Sequence, residues 1–213
     1  MKRAAVLLSL IVASTAGAQG NFEGTVTYQM ANNETWQYSA KGTKVRIDAN
    51  NAKMPGAAMI WDTGANTMTM IMPSQHMYMT MPINQSMANI PDTARGKVEK
   101  IGSEVIAGQP CDDYQGVDSK GVKQGTSCIA HGMGNFVWFG GSNPMMKQME
   151  SRVQGLSGAV AGGGFPLKFV KSNGETTMLA TKIERRSLDA SLFSPPAGFT
   201  QMQMPAGMQL PQH

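Results

Sequence analysis

Long apolar runs, charge clusters and catalytic signatures are all scarce in this sequence. Beyond its first residues, no stretch approaches the roughly 18 consecutive apolar residues of a spanning helix, and only 15% of the 213 residues are charged. No run of Lys and Arg exceeds Arg185-Arg186, so the electrostatic footprint of a nucleic-acid binder is missing. H-E-x-x-H, G-x-S-x-G, G-x-x-x-x-G-K and a post-strand G-x-G-x-x-G are absent. His76, His131 and His213 are the only histidines. Asp112 and Asp113, as neighbours on a strand, point to opposite faces and cannot converge on one bond. No acid, base and nucleophile set emerges, and a non-catalytic protein without cofactor is expected. The length suits one domain able to bury its own core. An apolar content of 41% excludes a wholly disordered chain.

What is present begins with an export pattern. In MKRAAVLLSLIVASTAGA, Lys2 and Arg3 precede a short apolar core, and Ala16-Gly17-Ala18 offers the small-x-small geometry of a cleavage site. A cleavable signal peptide over 1–18 and a periplasmic location are expected. No cysteine follows the site directly, so a mature N-terminus without a lipid anchor is expected. Cleavage removes two of the 18 basic side chains and leaves 16 against 14 acidic ones, a scattered excess. The two cysteines agree with export. Cys111 and Cys128 flank Asp118-Ser119-Lys120-Gly121, a good turn tetrad. A hairpin centred between Ser119 and Lys120 sets them directly opposite each other, close enough to bridge. In an oxidising compartment they are expected to form a structural disulfide.

Alternation of apolar and polar residues dominates the rest. Phe22, Val26, Tyr28 and Met30 share one parity of a half-buried strand. Further strands are expected over 36–40, 44–48, 58–62, 67–72, 77–81, 97–101, 104–106, 111–117, 122–130, 165–171 and 175–186. Asn173-Gly174 is the strongest hairpin signal. A single helix is expected between Asn143 and Gly155. Pro144 suits its first position, and Met145, Met149 and Val153 form its apolar stripe. Residues 200–213, with two prolines and no period, read as a flexible Met-rich tail. One domain over 19–199 accounts for the remainder.

Methionine is the outlying component: 19 residues, more than Phe, Tyr and Trp together. TMTMIMPSQHMYMTMP concentrates it. With the turn between Ser74 and Gln75, Met72 faces Met77, Met70 faces Met79 and Met68 faces Met81. Thr69, Ile71, Tyr78 and Thr80 then share the other face. Three readings stand. The ladder is core filling, or a pliable lining for an apolar ligand, or a soft site for Cu(I). The copper reading uses Met72, His76 and Met77, with Met202, Met204 and Met208 as recruits.

Several segments in order resemble an uncharacterised bacterial envelope family, a domain-of-unknown-function group placed beside the LolA/LolB-type lipoprotein carriers. They are FEGTVTYQM, KVRID, MIWD…NTMTMIMPSQHMYM, the stretch from Ile106 through Cys111 to Tyr114, Cys128, FPLKF and SLDASLFSPPAGF. Together they cover most of the chain after residue 18. The resemblance implies a strongly curved, open antiparallel half-barrel whose concave face, covered by helices, binds lipid-like groups in the carriers. No lipobox cysteine is present, and the candidate lining is methionine rather than aromatic, so the transport step is not implied. The combined expectation is a mainly β periplasmic protein with a short lid helix, binding a hydrophobic or acylated ligand, a lipid or lipoprotein. Met68, Met70, Met72, Met77, Met79 and Met81 would line the site, and Met145, Met149 and Val153 would close it.

Overall fold

Among the described residues, alternation produces twelve strands and two short 3-10 turns. The computed structural model describes residues 22–31, 33–50, 55–83, 97–117, 121–134, 136 and 164–202. The strands are β1 (Gly24–Met30), β2 (Thr35–Lys41), β3 (Lys44–Asn50), β4 (Ala58–Asp62), β5 (Thr67–Met72), β6 (Met77–Pro82), β7 (Lys97–Ile106), β8 (Gln109–Val117), β9 (Lys123–Ala130), β10 (Phe165–Lys171), β11 (Thr176–Arg185) and β12 (Thr200–Gln201). They form one curved sheet in the order β12-β6-β5-β4-β3-β2-β1-β11-β10-β9-β8-β7. Strands β1 to β6 meander from the centre to one edge. The chain then crosses to the far edge and returns through β7 to β11, which closes against β1. The two edges do not meet, so the sheet is no barrel.

Local chemistry fixes the turns. Ala107 and Gly108, both at positive φ (48° and 79°), form the two-residue link between β7 and β8 that matches strand twist. Asp62 Oδ1 accepts hydrogen bonds from the Gly64 and Ala65 amides at 3.0 Å, pinning the turn into β5. Gly24, at φ 149°, lies so close to β11 that a Cβ there would meet the Glu184 carbonyl oxygen at 2.0 Å. No side chain fits at this central junction.

The strand faces carry different covers. One face holds the main core, with Val26, Tyr28, Tyr38, Val45, Ile47, Trp61, Phe165 and Phe169 buried together. On the other face, Ala58, Ile60 and Ile71 pack under Leu188 and Phe193. Those two residues belong to a strap, residues 186–202, that runs back across β1 to β6. Glu23 fastens its start, accepting from the Leu188 amide at 2.9 Å and the Ser187 hydroxyl at 3.1 Å while pairing with Lys41 at 3.0 Å. Midway, Asp189 caps a short 3-10 turn, Ala190–Phe193. Arg46, clasped by Asp48, donates to the Leu192 carbonyl at 3.0 Å. At its end, the Thr200 amide donates to His76 and the Met202 amide to Tyr78, so β12 lies parallel to β6.

Several expectations need adjustment. The two strands read over 97–101 and 104–106 are one strand, β7, with a bulge between Lys100 and Gly102. Cys111 and Cys128 are bonded, with Cα atoms 5.4 Å apart, but not as directly opposed residues. Asp113 faces Cys128 and Asp112 faces Ile129, so the register sits two residues from the expected one and the bridge runs diagonally. A shift of two keeps every side chain on its face, which is why the pairing survives it. The first residues of the expected tail, Thr200 to Met202, are docked on the sheet. Residues 1–18, the helix between Asn143 and Gly155 with Met145, Met149 and Val153, and residues 203–213 lie outside the described residues.

Candidate functional site

The methionine hairpin forms in the expected register. Met72 faces Met77, Met70 faces Met79 and Met68 faces Met81. Its back, not its front, sets that register. Ile71 is buried to 1% exposure under the strap, and the hydroxyls of Thr69 and Thr80 meet at 2.9 Å. A one-residue slip would bring methionine under the strap and Ile71 to the front.

Following the pairing across the sheet shows what the ladder joins. One row runs Val26, Tyr38, Ile47, Met59, Met70, Met79, and the next runs Ala40, Val45, Trp61, Met68, Met81. Opposed residues share a face, so the ladder continues the main core outward. Burial falls along the way. Val26, Tyr38 and Ile47 are buried, whereas Met59 and all six hairpin methionines are half-buried. The closed end is aromatic. Phe136 stacks on Tyr38 at 4.8 Å, and Phe165 meets both rings edge-on at 5.2 and 5.1 Å. Met59, opposite Met70, extends the methionine face and was passed over by the sequence reading. The alternation of 58–62 against 67–72 held the signal for it.

His76, named with Met72 and Met77 in the copper reading, stands at the tip of the hairpin. It occupies the left-handed position after the 3-10 turn Pro73–Gln75, and its ring lies 5.6 Å from Phe199. Phe199 packs with the strap cluster behind the sheet, on the face opposite the two thioethers.

A second group of polar side chains surrounds the disulfide. Asp112 accepts from Ser103 at 2.8 Å and pairs with Lys100 at 2.8 Å and His131 Nε2 at 3.3 Å, beside a shallow concavity of about 520 Å³. Lys100, then Ser103, hold the Asp112 carboxyl below its ordinary range. A hydrolytic triad needs the imidazole between the hydroxyl and the carboxylate. Here the carboxylate stands in the middle, and the Ser103 hydroxyl donates its hydrogen bond to Asp112. On the other side of β8, Asp113 lies near Glu104, which pairs with Lys168. The two aspartates thus have separate partners. Glu104 and Asp113 also approach Cys128, but its sulfur is in the disulfide and offers no thiolate to a metal.

The sequence matches the model of a domain-of-unknown-function family, DUF4412, over residues 20–199. The chain belongs to that family, and its open sheet resembles the lipoprotein-carrier fold. No curated protein matches it. Among solved structures it is similar to an uncharacterised conserved protein from Thermus thermophilus, at TM-score 0.51 and 11% identity over 86% of this chain and 91% of that one. It also aligns with MucB in complex with MucA(peri), at TM-score 0.46 and 11% identity over 87% of this chain and 58% of that one. In the complex of Pseudomonas aeruginosa MucA and MucB the values are 0.44, 10%, 83% and 56%. At such identities the likeness concerns the fold alone. Among the described residues, no helix is long and apolar enough to cross a membrane.

Proposed function

We propose that this chain is a non-catalytic periplasmic binding protein, exported by a cleavable signal peptide, that holds a hydrophobic or acylated ligand against the methionine face of its sheet. One observation carries the reading. The apolar rows that are buried at Tyr38 and Ile47 and at Val45 and Trp61 run on, without a change of face, into five half-buried methionines, Met59, Met70, Met79, Met68 and Met81, with the Met72–Met77 pair beside them on the same face. Thioether side chains on three torsions mould to a flexible guest, while the strap holds the backbone behind them. Met68, Met70, Met72, Met77, Met79 and Met81 line this surface, and Met59 extends it. A lipid or a lipoprotein acyl chain has the matching chemistry.

Native mass spectrometry of protein recovered from the periplasm tests the proposal, with a lipid-sized adduct as the expected result. Met70→Glu with Met79→Glu should remove the adduct, because two carboxylates on the apolar rows cannot be desolvated under an acyl chain. Replacing the six hairpin methionines by leucine keeps the apolar volume and should retain the adduct. A bare protein, or an adduct indifferent to the glutamates, defeats the reading. Cu(I) that follows the protein and vanishes with the leucines would put the metal in its place.

A further inference from the structure

The two faces of the hairpin differ in chemistry as well as in cover. The back is Ile71, Tyr78 and the Thr69–Thr80 pair, fastened by the strap and by β12. None of these groups reacts readily with a mild oxidant. The front presents three opposed pairs of half-buried thioethers. Two other methionines, Met133 and Met178, are sealed in the core at 1% and 7% exposure. Among the described residues, the fold thus gathers six half-buried methionines on one surface and keeps Met133 and Met178 inside.

We propose that the front of the β5–β6 hairpin is an oxidation site for hypochlorous acid or peroxide, and that its sulfoxides expel the apolar ligand. In the reaction, a sulfur lone pair attacks the electrophilic oxygen of the oxidant and forms the S–O bond. The O–Cl or O–O bond breaks, releasing chloride and a proton from hypochlorous acid, or water from hydrogen peroxide. Sulfur loses two electrons and the oxidant gains them. Each product is a polar, chiral sulfoxide where a pliable apolar group stood. Three such pairs would set dipoles under a guest that cannot hydrogen-bond to them. The sheet itself survives, because the hairpin is held from behind. The ligand half of this inference rests on the binding reading above, whereas the chemical half does not.

The test is graded oxidation of the full chain with hypochlorous acid, followed by peptide mapping and by titration with dansyl-labelled undecanoic acid. Sulfoxide should appear at Met68, Met70, Met72, Met77, Met79 and Met81 before Met133 and Met178. Probe affinity should fall by at least about tenfold, since burying unpaired polar groups opposes apolar binding. Circular dichroism of the sheet should not change. Whatever affinity the six-leucine variant has before treatment, the same oxidation should leave it unchanged, since leucine offers no sulfur to oxidise. Oxidation of Met133 or Met178 first, or equal loss of affinity in the leucine variant, overturns the proposal. A probe that fails to bind before any oxidation removes the binding reading and the expulsion step together. The order of sulfoxide formation then still decides whether the hairpin is the oxidation site.

Discussion

The two wings of the sheet are stabilised in different ways. The wing from β2 to β6 has no covalent cross-link. It is packed on one face by the core and on the other by the strap, whose Phe193 and Leu188 are buried against Ala58, Ile60 and Ile71. The wing from β7 to β9 carries the Cys111–Cys128 bond and several surface ion pairs. Its edge strand exposes Ile101 and Val105 at 58% and 66%, with a bulge and a lysine, Lys100, that discourage pairing to another edge. The wing whose edge strand is exposed is held by a staple as well as by the core. A wing covered behind can leave its front half-open and soft, and that is where the methionines lie.

The largest expected effect comes from removing the rear cover. Phe193→Ala should cost about 3–5 kcal/mol by the cavity it leaves, read as a drop in the denaturation midpoint. A loss below about 1 kcal/mol would mean that the strap does not hold this wing. Next is the staple. Cys111→Ala with Cys128→Ala should cost about 3 kcal/mol for a loop of this length. Because the wings are joined in one sheet, a single shifted transition is expected; two separate transitions would show that they unfold independently.

Acid should sharpen the contrast, since the wings respond with opposite signs. Hydrogen bonds from the Leu188 amide and then Lys41 hold Glu23 below its ordinary value of 4.5. Its contribution is present above that value and is lost as pH falls through the lower folded value. Burial, then the neighbouring Glu104, raises Asp113 above its ordinary 3.8. Its contribution is full below 3.8 and is lost as pH rises through the raised value. Denaturation midpoints across an acid series should therefore show Glu23→Gln flattening the acid-side loss. Asp113→Asn should gain on the parent protein as pH rises. Parallel profiles for the two variants would contradict this assignment.

The smallest effect belongs to the front of the soft wing. Met70→Leu with Met79→Leu conserves volume and should change stability by less than about 1.5 kcal/mol. A larger loss in the same denaturation assay would mean that the thioethers are tightly packed core.

Much of this was legible beforehand, strand by strand. Alternation in 67–72 and 77–81 placed six methionines on one face with the observed pairing, because the short turn at Pro73–Gln75 and the buried Ile71 face agree on one register. The cysteine pair was also legible, though not its diagonal geometry. Residues 118–121 suggested the wrong centre for that hairpin, and a turn tetrad alone does not fix a register to within two residues. The strap was present only as a stretch of residues, 187–199, without a strand or helix pattern. Its role comes from Glu23, Arg46 and His76, which meet it from distant parts of the chain.

The sequence by itself determined the β class, the face on which the strand side chains lie and the partners within the methionine hairpin, because pleating and turn chemistry act over a few residues. Only the tertiary structure decided that β1 pairs with β11 and that the chain's end covers one face of the hairpin while leaving the other half-open. Thr25 and Glu184, hydrogen-bonded at 3.4 Å across 159 residues of chain, depend on a closure that no local pattern encodes.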